Sequence, residues 1–116
     1  MNQEMLKLSS GDFLLHEGEE SSHMYYLVSG TLNVIKRKGD KTMTIGSIIA
    51  GELVGEMSFL DRAPRSATVQ ALSECTLIVI PLDNFEVTIE NLPIWMKTLI
   101  NTLLDRMRRT NARLKI

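Results

Sequence analysis

Apolar positions in the first two-thirds of the chain come in short runs, each closed by small or polar turn residues. Met5–Leu8 and Asp12–His16 are brief strand candidates separated by Ser9-Ser10-Gly11. Met24–Ser29 and Leu32–Arg37 are richer in β-formers, among them Tyr25, Val28, Val34 and Ile35, with Ser29-Gly30 breaking one from the other. Lys38-Gly39-Asp40 reads as a hairpin turn before Thr42–Ile48. Ala67–Ala71 and Thr76–Pro81 complete the set, joined through Ser73-Glu74. Seven or eight short strands at this spacing predict a small closed sandwich or roll.

The period changes near residue 83. Asp83 or Asn84 can cap a short helix running to about Glu90, and Asn91-Leu92-Pro93 interrupts it. Pro93 is acceptable at the first position of a new helix. From there Met96, Ile100, Leu103, Met107, Thr110 and Leu114 recur in alternating steps of four and three, the signature of an a/d seam. Trp95, Leu99 and Leu104 lie beside the seam and widen it. A helix that only covers its own roll needs one stripe. This one predicts apolar surface for a partner helix as well, and so a homodimer.

Composition narrows the field. A chain of 116 residues predicts one domain, residues 1–116, with the roll over about 5–81 and the C-terminal helices over about 83–115. Net charge is −1, which gives no general bias toward nucleic acid or anionic membrane. Five cations (Arg106, Arg108, Arg109, Arg113 and Lys115) crowd the end against Asp105, read as a solvated, dipole-favourable helix C-terminus. The single cysteine, Cys75, lies against the apolar run Thr76–Ile80 and is expected to be a buried structural thiol. With no secretory leader or long apolar run, the expectation is a cytoplasmic protein with no membrane contact.

The most informative stretch is Gly55-Glu56-Met57-Ser58, followed a few residues later by Pro64-Arg65-Ser66-Ala67-Thr68. Glycine lets backbone approach a ligand without a Cβ in the way. An ionised glutamate can only accept hydrogen bonds, so it suits a hydroxyl pair or a cation. Met57–Leu60 can form one helical turn whose free N–H groups face an anion. Arg65 adds a permanent charge in a planar fork that fits phosphate. A small anion carrying a vicinal hydroxyl needs this set of groups.

This segment resembles the phosphate-binding cassette of the cyclic-nucleotide-binding domain family, found in catabolite-activator-like regulators and protein-kinase regulatory subunits. Two upstream segments extend the resemblance: Gly11–Gly18, like the family's early strand and Glu-Gly turn, and Met24–Leu32, like its strand, Ser-Gly turn and following strand. It covers roughly residues 6–114. It implies a mainly β fold with C-terminal helices: an eight-stranded, double-stranded, jelly-roll-like β-roll plus a short helix and a long C-terminal helix. It also implies a non-enzymatic sensor that binds a cyclic mononucleotide and signals through that last helix to an effector protein.

Carried over residue by residue, Glu56 would accept from the ribose 2′-hydroxyl and Arg65 would hold the exocyclic phosphate oxygens. Ser66 and the Ala67 N–H would assist, with Gly55, Met57 and Ser58 approaching sugar and phosphate. Thr110 and Asn111 would lid the base. Arg65 is expected to anchor affinity without carrying the fold. After the arginine, members selective for cyclic GMP often place Thr and many cyclic AMP binders Ala or Ser. The Ser66 hydroxyl could serve either base, and the resemblance implies cyclic AMP, with cyclic GMP as the alternative. The ligand is the only small molecule implied, with no cofactor or metal. Transcription factors that resemble this domain place a helix-turn-helix after the long helix, so an end at Ile116 implies no direct DNA binding.

Two other readings stand beside it. A degenerate β-roll could serve protein–protein contact alone. A metal-dependent cupin-like enzyme would need clustered His and carboxylate ligands, and only His16 and His23 exist, seven apart and expected on opposite sides of a turn.

Overall fold

A computed structural model describes residues 3–56, 58 and 63–114, the side chains of 110–114 excepted. Period-two alternation becomes strand after strand. β1 (Glu4–Leu8), β2 (Phe13–Leu15), β3 (His23–Ser29), β4 (Thr31–Lys38), β5 (Lys41–Ile49), β6 (Leu53–Val54), β7 (Thr68–Ala71) and β8 (Cys75–Pro81) form two four-stranded sheets. Their orders are β1-β8-β3-β6 and β2-β7-β4-β5, and every pairing is antiparallel. Apart from the β4–β5 hairpin, consecutive strands lie in opposite sheets, which is the winding of a double-stranded β-roll. The roll expected from the sequence is therefore the fold observed, with β-strands dominant and two helices at the C-terminus.

The inward-facing residues of both sheets make one core: Leu15, Leu27, Leu32, Val54, Val69, Ala71, Cys75 and Leu77. Leu27, Leu32 and Leu77 are fully buried, so truncating any of them to alanine costs about 2–5 kcal/mol. Cys75 packs among them, its thiol 3.4 Å from the Thr31 and Ser73 carbonyls, in the structural role its apolar setting suggests. The β4–β5 turn is the dipeptide Gly39-Asp40, within the expected Lys38–Asp40 signal. β5 carries a bulge opposite Val34 and Ile35, where Ile45 is the extra residue.

β6 is a strand that the sequence reading did not include. Two residues long, it pairs with Tyr25 and Tyr26 of β3 and delivers the chain to Gly55. Helix α1 spans Leu82–Glu90; it starts directly after β8, so Asp83 sits in its first turn instead of capping it. α2 spans Ile94–Leu114. The chain divides into two compact units, residues 1–82 and 83–116. Within the second, Leu99, Leu103 and Met107 are 48%, 49% and 47% exposed, so α2 shows apolar side chains to solvent along its length.

Candidate functional site

Residues of β2, β4, β5 and β7, together with the end of β6 and the described residues that follow it, line a cavity of about 210 Å³. Leu15, Val34, Ile48, Val54 and Val69 give it an apolar inner wall, while Gly55, Glu56, Ser58, Arg65, Ser66 and Ala67 form a polar arc. Six of the nine residues singled out from the sequence thus meet around one space. Met57 lies outside the described residues. Thr110 and Asn111 fall in α2, but their side chains are outside the described set, so no contact is assigned to them.

Local sequence explains how the arc is held. Gly55 adopts φ +77°, a left-handed turn that redirects the chain from β6. A Cβ at Gly55 would collide with the Arg65 guanidinium, so the glycine permits the close approach as well as the turn. Ser58 follows, almost fully buried, and its carbonyl accepts from the Ala63 N–H at 3.0 Å. Pro64 then leads into Arg65, whose backbone is locked to the β2–β3 connection. The Arg65 N–H donates to the Glu19 carbonyl at 2.8 Å, and the Gly18 N–H donates to the Arg65 carbonyl at 2.8 Å. Just beyond, Thr68 Oγ1 accepts from the Glu17 N–H at 3.0 Å.

Arg65 is the centre of the site. It is only 5% exposed. Its Nη1 donates to the Gly55 carbonyl at 3.2 Å and to Ser58 Oγ at 3.1 Å, and Nη2 donates to the His23 carbonyl at 2.6 Å. Burial pulls the guanidinium below its usual pKa, while Tyr25 and Glu19 oppose that shift. Burial likewise raises the Tyr25 phenol; the Arg65 charge lowers it, and Glu4 and Glu19 add to the rise. Arg65 also lines a second cavity of about 170 Å³, together with Glu19, His23 and Tyr25.

The expectation that Arg65 serves a ligand without carrying the fold needs correction here. Its head ties β3, the β6 turn and the Ser58 segment together, and its backbone ties them to the β2–β3 loop. Sequence reasoning missed these partners because two of its side-chain acceptors are main-chain carbonyls, which have no residue signature. The five apolar wall residues were missed as site residues too, since each reads as ordinary core.

Glu56 is half-buried and Ser66 exposed, and both line the cavity. The arrangement offers a cation for an anion, a carboxylate for a hydroxyl, and an apolar surface for a flat apolar group. Among the described residues, no group of three or more His, Cys, Asp or Glu side chains could hold a metal ion.

Known proteins carry the same fold and similar sequence. The chain is 31% identical over 99 residues to the mouse potassium/sodium hyperpolarization-activated cyclic nucleotide-gated channel 2, matching 85% of this chain and 11% of the channel. It therefore spans about a tenth of that relative's length. The Thermus thermophilus catabolite activator protein superposes with a TM-score of 0.79 at 25% identity, over 97% of this chain and 54% of that one. The regulatory domain of Toxoplasma gondii PKA, solved with cAMP, superposes at 0.71 with 29% identity, over 73% of this chain and 33% of that one. The profile of the cyclic nucleotide-binding domain matches residues 5–91, which include every strand but the first residue of β1, and the whole cassette. On that match, the chain belongs to the cyclic nucleotide-binding domain family.

Proposed function

We propose that the cavity binds a cyclic mononucleotide, cyclic AMP in preference to cyclic GMP, and that the domain is a non-enzymatic sensor. The observation that carries this reading is the buried Arg65 facing the same cavity as Glu56. A desolvated guanidinium suits a singly charged cyclic phosphate, and a carboxylate suits the ribose 2′-hydroxyl. In this assignment Arg65 holds the exocyclic oxygens and Glu56 takes the 2′-hydroxyl. Ser66 and the Ala67 N–H complete the phosphate contacts, and Gly55, Met57 and Ser58 lie against sugar and phosphate. The apolar wall receives the remaining non-polar faces of the ligand. A PKA regulatory domain solved with cAMP, at 29% identity, supports the choice of ligand.

Output runs through α2, whose exposed Leu99, Leu103 and Met107 fit a helix that pairs with a second copy and responds to the nucleotide. Thr110 and Asn111, near its end, reach the base in the bound state. The working setting is cytoplasmic, and the effector is a further protein.

Calorimetry of the purified chain with cyclic AMP, cyclic GMP and 5′-AMP tests the assignment. Cyclic AMP is expected to bind most tightly, and Arg65→Lys to weaken it strongly, because a point charge replaces a fork held by three acceptors. Tighter binding of 5′-AMP than of either cyclic nucleotide, or an Arg65→Lys protein equal to wild type, overturns it.

A further inference from the structure

We propose that Lys36 is a positioning residue of the phosphate site, acting through the peptide group that joins Ser66 to Ala67. The inference rests on the reading of the site given above. β4 alternates about the core: Leu32 is fully buried and Val34 lines the cavity. Lys36, two residues further on, shares their side of the strand. It is half-buried, as suits a long side chain whose aliphatic stem is partly covered and whose charged end is exposed. Its Nζ donates to the Ser66 carbonyl at 3.0 Å.

That carbonyl has a particular place in the site. The Ser66 C=O and the Ala67 N–H are the two ends of one planar, conjugated amide. An ammonium on the oxygen draws density toward it and makes the N–H at the other end a stronger donor, since linked hydrogen bonds polarise one another. Because the amide is rigid, fixing the direction of its oxygen also fixes the direction of its N–H. Ala67 contributes to the proposed phosphate site through that N–H alone, so the aim and strength of this one donor are what Lys36 controls. The contact joins residues 30 apart in sequence, from β4 to the segment before β7. It therefore couples the wall of the roll to the cassette.

Lys36→Met tests the route, because it keeps the stem and its packing but removes donor and charge. In isotope-labelled protein without nucleotide, the Ala67 amide resonance should move more than the amides of β7, and Lys36→Arg should return it toward wild type. Affinity for cyclic AMP should fall roughly three- to tenfold in Lys36→Met, with most of the loss recovered in Lys36→Arg. The two phosphorothioate diastereomers of cyclic AMP replace one or the other exocyclic oxygen with sulfur, a poor acceptor. The Lys36→Met loss should persist with one diastereomer and shrink with the other.

Equal losses with both diastereomers would mean that Lys36 acts only as a distant charge, which overturns the peptide route. An Ala67 resonance unmoved by Lys36→Met overturns it independently of any ligand. If the Ala67 resonance responds to Lys36→Met but the wild-type protein binds none of cyclic AMP, cyclic GMP and 5′-AMP, the nucleotide reading of the cavity is refuted, and the phosphate role of Lys36 falls with it.

Discussion

Gly55→Ala tests the cassette through a residue that contributes no side chain. At φ +77° an L-residue pays for the left-handed conformation, about 1–2 kcal/mol. The new Cβ would also collide with Nη1 of Arg65, the atom that donates to the Gly55 carbonyl and to Ser58 Oγ. With Arg65 only 5% exposed, the guanidinium cannot swing aside without giving up one of those bonds. A hydrogen bond from a charged donor is worth about 1.5–3 kcal/mol, so strain plus one lost bond gives roughly 2.5–5 kcal/mol of destabilisation. That is a large share of the stability of a domain this size, about 5–15 kcal/mol. A displaced guanidinium should also weaken cyclic AMP, by up to the cost of losing one partner of a desolvated charge pair, about 2–5 kcal/mol.

Gly39→Ala is the control: it sits at φ +65° in the β4–β5 turn, and a Cβ there meets nothing within 4 Å. It should show the backbone strain alone and leave affinity unchanged. Urea unfolding and calorimetry on the same preparations read both quantities. If Gly55→Ala matches Gly39→Ala in stability and in affinity, the collision with Arg65 does not matter and the reasoning fails.

Three further outcomes are expected. Glu56→Gln should weaken cyclic AMP by about 1.5–3 kcal/mol but barely affect its 2′-deoxy analogue, measured by calorimetry; equal losses would assign Glu56 another role. Burial raises the Tyr25 pKa, so above about pH 10 the unfolded chain releases this proton before the native protein does, and stability falls with rising pH. Tyr25→Phe should remove that part of the fall, and thermal melts from pH 8 to 11 with identical slopes for both proteins would refute it. Leu103→Glu would set like charges face to face in an α2 pairing and should turn a dimer into a monomer; light scattering that finds wild type monomeric at about tens of micromolar, with and without cyclic AMP, refutes the pairing.

Much of the fold was legible because the signals that define it are local. Turn residues such as Ser29-Gly30 and Gly39-Asp40 bracket runs with period two, and those runs became strands in two sheets. β6 escaped because two residues between Gly51 and Gly55 cannot display a period; only pairing with Tyr25 and Tyr26 makes them a strand. The site divides in the same way. Gly55, Glu56, Ser58, Arg65, Ser66 and Ala67 were legible because they are close in sequence and each has a side chain, or lacks one, suited to a cyclic phosphate. The cavity's apolar wall was not, since Leu15, Val34, Ile48, Val54 and Val69 come from five strands and only the roll assembles them.

Lys36 falls between these cases. Its parity with Leu32 and Val34 could have marked it as a cation on an inward face, but its acceptor, the Ser66 carbonyl, is invisible in any pattern of side chains. Arg65 shows the consequence most directly. Read from the motif, it has one partner, a phosphate, and its loss should touch affinity alone. In the fold it also satisfies the carbonyls of Gly55 and His23, 10 and 42 residues away, and those acceptors would be left unpaired in a buried place if the side chain were removed. The group proposed to recognise the ligand therefore also holds together the segments that form the cavity. Affinity and stability at this position should fall together, which a motif without its fold would not lead one to expect.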